Sequence, residues 1–264
     1  MILVDVHAHM DMEQYNAIGG VGNVLNDCKK NSVKVIVANG INIDSNRKVL
    51  EMAKEHDIIR PALGIYPTDC LEMMEQGMNQ EFYQEINFIE KKIKEKKCFA
   101  IGEVGLEYTQ VTDLNEEKKN IMKECLKKFI EVAKKYDVPI ILHTRGAELD
   151  VVELLESEGM KDKKVIIHCF SGRKNVVKRI RDNGWTFSIP CSIIRAQQFQ
   201  DIVKDTPIQQ LLTETDSPYL SPYKDKVNTP ANVSFTIDKI AEIKKLTPEE
   251  TANIIYSNYQ RLFL

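Results

Sequence analysis

Histidines and carboxylates follow several short apolar runs of this sequence. His7 and His9 stand two positions apart just after residues 2–6, and positions i and i+2 of an extended segment face the same side. Both imidazoles can therefore reach one metal ion. Other candidate ligands occupy equivalent places after later apolar runs, namely Glu103, His143, His168 and Asp216. Neutral imidazole and carboxylate are common ligands of Zn, Mn and related ions, so these residue types predict a metal centre.

The candidate ligands are too many for one tetrahedral shell. Four histidines and two carboxylates suit two divalent ions ~3.5–4 Å apart, which activate a water and polarise a phosphoryl or carbonyl oxygen. Asp216 can bind a metal and accept the proton of that water. Arg145 follows His143 by two residues, so it points the same way and can clamp a phosphate or carboxylate. The pattern therefore predicts hydrolysis. The alternatives are histidines that each have their own hydrogen-bond partners and an Arg145 that is only a surface residue. His56 is interpreted as a solvated cap at a helix end.

The elements that must position these residues follow from the hydrophobic pattern. Eight short β-branched runs are nearly unbroken in hydrophobicity, as expected of strands covered on both faces. They span residues 2–6, 34–38, 61–65, 99–103, 139–143, 165–169, 186–190 and 211–216. Amphipathic helical patterns alternate with them, most clearly over residues 115–136, 149–158, 174–183, 231–245 and 248–260. Thr247 to Glu250 reads Thr-Pro-Glu-Glu, which predicts a capped helix start.

Alternating strands and helices predict parallel βαβ units. The simplest architecture is an α/β (β/α)₈ TIM barrel forming a single domain over residues 1–264. In such a barrel the carboxyl ends of all strands share the face that carries active sites, so ligands distant in sequence would converge. A doubly wound open sheet is the alternative, but the first strand ends in Asp5-Val6-His7-Ala8-His9 and not in a Gly-x-Gly-x-x-Gly turn.

The composition excludes several protein classes. With 264 residues, 43% hydrophobic and 28% charged, the chain is an ordinary globular sequence and not collagen or a disordered protein. The net charge of −3 comes from 36 basic and 39 acidic residues, so it does not by itself indicate a polyanionic partner, although a local basic groove remains compatible with it. No apolar run approaches ~18 residues, and the first residues lack the basic and apolar regions of a signal peptide. We therefore expect a cytoplasmic protein without membrane association. We also expect a monomer. Its six cysteines are scattered, and we expect them to be buried free thiols.

The sequence resembles the TatD family of metal-dependent hydrolases, within the amidohydrolase-like barrels. The resemblance covers nearly the whole chain, in order, at residues 5–9, 102–108, 143–145, 168–172 and 212–218, and Asn228 with Pro230 is similar to the family's Asn-x-Pro. It implies a (β/α)₈ barrel with two divalent ions, such as Mg, Zn or Mn. One ion would be held by His7, His9, Glu103 and Asp216, and the other by Glu103, His143 and His168. It also implies the family's activity, a metal-dependent deoxyribonuclease or 3′→5′ exonuclease.

Three positions depart from the family pattern. Tyr66 stands where the family usually has a histidine, Glu107 where it usually has an aspartate, and Val227 where an arginine is common. The metal ligands are intact, so we expect hydrolysis, with Tyr66, Arg145 and Asn228 as substrate-binding residues and Asp216 and Glu103 as catalytic residues.

Three functions stay open on this evidence. The first is a phosphodiesterase acting on DNA or RNA ends. The second is a metal-dependent ester or amide hydrolase acting on a small phosphate or ester substrate or resembling an aminoacyl-tRNA deacylase. Related cyclic amidohydrolases often carry a carbamylated lysine on strand four, where this chain has Glu103, which disfavours that subgroup. The third is a non-catalytic scaffold, against which the complete ligand set argues.

Overall fold

Eight parallel strands form one sheet in the computed structural model, which describes all 264 residues. The strands follow one another in the order β1 to β8. They are β1 Leu3–Ala8, β2 Val33–Asn39, β3 Ile59–Leu63, β4 Ala100–Glu107, β5 Ile140–Arg145, β6 Val165–His168, β7 Thr186–Pro190 and β8 Leu211–Glu214. The sheet returns on itself, because the residues that follow β8 pair with β1: Asp216 N–H donates to the His7 carbonyl and His9 N–H to the Ser217 carbonyl. The (β/α)₈ barrel is thus confirmed, and the open doubly wound sheet is wrong.

Ten α-helices lie between the strands or follow the last of them. They are α1 Gly20–Lys30, α2 Ile43–Glu55, α3 Pro67–Glu75, α4 Asn79–Lys94, α5 Glu116–Tyr136, α6 Glu148–Ser157, α7 Lys174–Asp182, α8 Gln197–Asp205, α9 Val233–Lys244 and α10 Pro248–Phe263. The capped start is confirmed at α10, where Thr247 Oγ1 accepts from Glu250 N–H and the Glu250 carboxylate accepts from Thr247 N–H. No helix is both long enough and apolar enough to cross a lipid bilayer.

The chain packs as two compact units. The first comprises residues 1–38, 52–60 and 186–264, and the second comprises residues 39–51 and 61–185. The first contains β1, β7, β8 and all of β2 but its last residue, and the second contains β4, β5 and β6; β3 is divided between them. One domain over residues 1–264 stays a prediction.

In the first unit, polar side chains tie the strands to their neighbours. All six residues of β1 are buried. Thr213 Oγ1 donates to the Val4 carbonyl at 2.6 Å, which joins β8 to β1. Asn258 of α10 donates its amide to the carbonyls of Ile208 and Leu211. The Asn258 bonds fix the start of β8, and the Thr213 bond ties the strand that leads to Asp216 to β1.

In the second unit, β4 is longer than the sequence predicts. All eight of its residues are buried, through Glu107, so Glu103 lies within the strand and not at its end. Gly105 pairs with His143 of β5 at φ +151°, and a Cβ there would lie 2.1 Å from the His143 carbonyl oxygen. Only glycine allows this approach, and the close pairing carries the strand on to Glu107.

The cysteines are all free thiols. Five of the six are buried, and Cys169 is half-buried, so the prediction of buried free thiols holds for all but Cys169.

Candidate metal centre

The first unit brings together three predicted ligands at the ends of β1 and β8. The Nε2 atoms of His7 and His9 lie 3.3 Å apart, and they lie 3.6 and 3.5 Å from Asp216 Oδ1. Both histidines are buried, whereas the Asp216 side chain is 15% exposed. Two imidazole nitrogens and a carboxylate oxygen that face one point are a donor set for a divalent cation. The same three residues form a cluster with all ligand atoms within 4.8 Å of one another.

Asp5 forms hydrogen bonds with residues next to this cluster. Its carboxylate is fully buried; Oδ1 accepts from the backbone N–H groups of His7 and Thr215, both at 3.1 Å, and Oδ2 accepts from Thr215 Oγ1 at 2.5 Å. Burial raises the pKa of Asp5 well above its ordinary value, and the hydrogen bonds from Thr215 and His7 oppose that rise. Asp5 thereby couples the backbone beside His7 to the residue that precedes Asp216.

The second unit holds a second donor cluster around Glu103. Its Oε1 lies 2.9 Å from His143 Nδ1 and 3.0 Å from His168 Nε2, and these two nitrogens are 3.4 Å apart. All three residues are buried. Two imidazole nitrogens so close to each other and to one carboxylate oxygen also fit a divalent cation.

A hydrogen-bond network lies on the other side of the His143 ring. His143 Nε2 is 3.0 Å from Glu107 Oε2. Glu107 Oε1 accepts from the Thr109 N–H and hydroxyl and from the Gln110 N–H, at 2.5, 2.6 and 3.1 Å. Burial alone would raise the pKa of Glu107, but the bonds from His143 and Thr109 outweigh it and lower that pKa to about 2. Burial also lowers the pKa of His143, and its bonds to Glu103 and Glu107 reverse this, so that pKa is raised.

Tyr66 joins this network from the residue before α3. Its hydroxyl lies 3.1 Å from His143 Nε2 and donates to Glu107 Oε2 at 3.4 Å. Burial, together with the nearby Glu103 and Glu107 carboxylates, raises the pKa of Tyr66. The hydroxyl is therefore a neutral donor beside the cluster.

The other two predicted substrate-binding residues lie in different surroundings. Arg145 ends β5 and is exposed, two residues past His143. Asn228 is fully buried, and its Nδ2 donates to the carbonyls of Thr215 and Tyr219 at 2.9 and 2.7 Å. This amide holds the loop around Asp216, because its hydrogen-bonding groups face that loop. A substrate contact of Asn228 stays a prediction.

Sequence reasoning assigned no role to Asp5, and it named Glu107 only as a departure from a family pattern. A carboxylate within an otherwise apolar strand is the signal that could have identified both, since a buried charge needs hydrogen-bonding partners.

The model of the TatD related DNase family matches residues 4–264. The chain belongs to this family. It is 34% identical to the uncharacterized metal-dependent hydrolase YabD of Bacillus subtilis, over 99% of both chains. It is 30% identical to the human deoxyribonuclease TATDN3, over 99% of this chain and 94% of that one. These relatives make the chain a metal-dependent hydrolase of the TatD family.

Solved structures agree on the fold. The TatD homologue YJJV from Escherichia coli superposes with a TM-score of 0.83 at 21% identity, covering 99% of this chain and 97% of that one. A TatD family hydrolase from Entamoeba histolytica gives the same TM-score at 20% identity, covering 100% of this chain and 98% of that one. At these identities the likeness concerns the TatD barrel alone.

Proposed function

We propose that this TatD family hydrolase cleaves phosphodiester bonds at the ends of DNA or RNA strands. The observation that carries the proposal is the exposed guanidinium of Arg145, which follows His143 on the same strand by two residues. A planar guanidinium binds a phosphate through two parallel hydrogen bonds. The deoxyribonuclease name of the human relative supports the same substrate class.

The ligand clusters fit divalent ions, for which we propose Mg, Zn or Mn. His7, His9 and Asp216 would hold one ion, and Glu103, His143 and His168 the other; Glu103 as a ligand of both stays a prediction. Bound divalent ions supply Lewis acidity and a water that is nucleophilic near neutral pH.

The protein's own groups then carry the proton and orient the substrate. Asp216 is the most exposed member of its cluster, so its carboxylate can accept a proton from the attacking water and pass it to the leaving oxygen. Arg145 would hold the phosphate, and the Tyr66 hydroxyl can donate one hydrogen bond without adding positive charge.

One observation favours a second function. Tyr66 is neutral and lies against the Glu107 carboxylate, which makes this side of the site less cationic than a histidine would. A site of lower positive charge suits less charged substrates, so hydrolysis of a carboxylic ester such as an aminoacyl-tRNA linkage is the alternative.

A substrate panel separates the two functions. Metal-loaded protein is incubated with 5′-labelled single-stranded DNA, 5′-labelled RNA, bis(p-nitrophenyl) phosphate and an aminoacyl ester, with and without EDTA. We expect metal-dependent shortening of the labelled strands from one end, and no shortening by Glu103→Gln. Intact nucleic acids together with hydrolysis of the aminoacyl ester would refute the phosphodiesterase and support the second function.

A further inference from the structure

Asn46 is a buried asparagine of α2 that bonds to the turn before Tyr66. Its side chain is fully buried. Nδ2 donates to the Gly64 carbonyl at 2.9 Å, and Oδ1 accepts from the Gly64 N–H at 3.1 Å. An asparagine amide carries both a donor and an acceptor, so it can hold both backbone groups of one residue at once. The position of Gly64 is therefore set by the Asn46 amide.

A buried carboxylate sets the orientation of this amide. Asn46 Nδ2 also donates to Glu85 Oε1 of α4 at 2.8 Å, and Glu85 is buried. Arg47 donates to both oxygens of Glu85, at 2.8 and 2.6 Å, and its guanidinium carbon lies 3.4 Å from the centroid of the Phe88 ring. A carboxylate paired with a guanidinium accepts hydrogen bonds and does not donate them. Glu85 therefore fixes which end of the Asn46 amide faces it.

The backbone of Glu103 lies between the two glycines that Asn46 contacts. Glu103 N–H donates to the Gly40 carbonyl at 2.9 Å. A Cβ at Gly64 would lie 2.6 Å from the Glu103 carbonyl oxygen, and a Cβ at Gly40 would lie 2.1 Å from Asn46 Oδ1. Groups packed this closely move together, so a shift of the Asn46 amide shifts the backbone of Glu103.

The turn held by Asn46 also carries Tyr66, two residues after Gly64. Tyr66 N–H donates to the Ile41 carbonyl at 2.7 Å, so the turn is bonded again to the segment that follows β2. The Tyr66 hydroxyl lies beside His143 Nε2. Asn46 therefore supports the backbone of one candidate ligand and of the hydroxyl that borders the same cluster.

From these contacts we infer that Asn46, oriented by Glu85, is a positioning residue for the cluster of Glu103, His143 and His168. It acts on the Glu103 backbone through Gly64 and Gly40. Metal–ligand distances are fixed to within about 0.2 Å, so a loosened Glu103 backbone weakens metal binding although Asn46 touches no ligand atom. The inference rests on the proposed role of Glu103 as a metal ligand, and it does not depend on which bond the protein cleaves.

Binding of Mn²⁺ alone tests this role. Free Mn²⁺ is measured by electron paramagnetic resonance while the ion is titrated into the protein. Asn46→Ala should raise the Kd of the ion at the Glu103 cluster by about 10-fold, the lower end of what loss of an outer-shell partner costs. Glu85→Ala removes an acceptor of the Asn46 amide and should raise the same Kd by a smaller factor. Glu85→Gln keeps an acceptor and should bind Mn²⁺ within about twofold of wild type, so this pair of variants tests the role even if Asn46→Ala does not fold.

The chain offers a matched control in Asn258, a buried asparagine of α10. Its amide donates to the carbonyls of Ile208 and Leu211 at the start of β8, at 2.7 and 2.8 Å. Asn258→Ala should lower the Tm about as much as Asn46→Ala does, because both changes remove buried hydrogen bonds to backbone groups. It should leave the Kd for Mn²⁺ unchanged.

The outcomes separate the positioning role from the proposed function. Weakened Mn²⁺ binding by Glu103→Gln, with wild-type binding by Asn46→Ala and Glu85→Ala, would refute the positioning role and leave the proposed function standing. An equal rise of the Kd in Asn258→Ala would also refute it, since the loss would then follow from lower stability alone. Mn²⁺ binding by Glu103→Gln as tight as that of wild type would overturn the proposed ligand role of Glu103 and this inference with it.

Discussion

Replacement of Asn228 by alanine distinguishes a loop-holding amide from a substrate contact. Besides the bonds that its Nδ2 donates to the Thr215 and Tyr219 carbonyls and to Cys191 Sγ, the last at 3.3 Å, Asn228 accepts at Oδ1 from Thr229 N–H and from Asn232 Nδ2, at 2.9 and 2.8 Å. The four bonds to oxygen acceptors are buried or half-buried, and a typical hydrogen bond contributes about 1 kcal/mol net to stability. Water can replace some of them in the variant, so we expect the free energy of unfolding to fall by about 2–4 kcal/mol. For a chain of this size, such a fall in the free energy of unfolding lowers the Tm by about 5–15 °C.

Urea unfolding followed by circular dichroism measures this change, with steady-state kinetics on the same preparations. Because Asn228 supports the residues on either side of Asp216, kcat should fall, while KM should change little. Asn120→Ala is the matched control: Asn120 is exposed on α5, and its replacement should change stability by less than about 0.5 kcal/mol. An Asn228→Ala protein with wild-type stability and a raised KM would refute this reasoning and support Asn228 as a substrate contact.

Three further predictions concern the metals and the substrate. An anomalous-scattering map at saturating metal should show two peaks per chain, and a single peak with His143 or His168 unligated would contradict the two-metal proposal. Glu103→Gln should bind metal markedly more weakly, by at least the about 10–100-fold that loss of an outer-shell partner costs, and should nearly abolish turnover; a wild-type rate at confirmed metal content would exclude its role. Arg145→Ala should lose about 1.5–3 kcal/mol of transition-state stabilisation on phosphate-bearing substrates, and Tyr66→His should raise nuclease activity; unchanged DNA cleavage in both variants would show that these residues do not select the substrate.

The fold and the ligand clusters follow from the sequence because both depend on patterns local to each strand. Each strand carries a largely apolar run, and the predicted ligands lie in or directly after such runs. The lengths of the strands do not follow as well. The apolar run predicts that the fourth strand ends at Glu103, yet β4 continues to Glu107. Gly105 allows close pairing with β5, and buried hydrogen-bond partners satisfy the carboxylates of Glu103 and Glu107.

Supporting residues are harder to predict because their partners lie far along the chain. Asp5 bonds to Thr215, a residue 210 positions away, and no local pattern near Asp5 indicates that contact. Asn228 shows the same difficulty. Its resemblance to the family's Asn-x-Pro does not indicate the hydrogen bonds that its amide donates to the carbonyls of Thr215 and Tyr219.

Two of the three departures from the TatD pattern lie on one hydrogen-bond chain. The Tyr66 hydroxyl and His143 Nε2 both lie within 3.4 Å of Glu107 Oε2, so the tyrosine and the glutamate are in contact with each other and with the same imidazole. If His143 held a cation through the lone pair of Nδ1, its ring proton would lie on Nε2, where the Glu107 carboxylate could accept it. Tyr66 donates to the same oxygen. Tyr66 and Glu107 therefore act on the same imidazole: Glu107 supplies a hydrogen-bond acceptor beside His143 Nε2, and Tyr66 supplies a neutral hydroxyl.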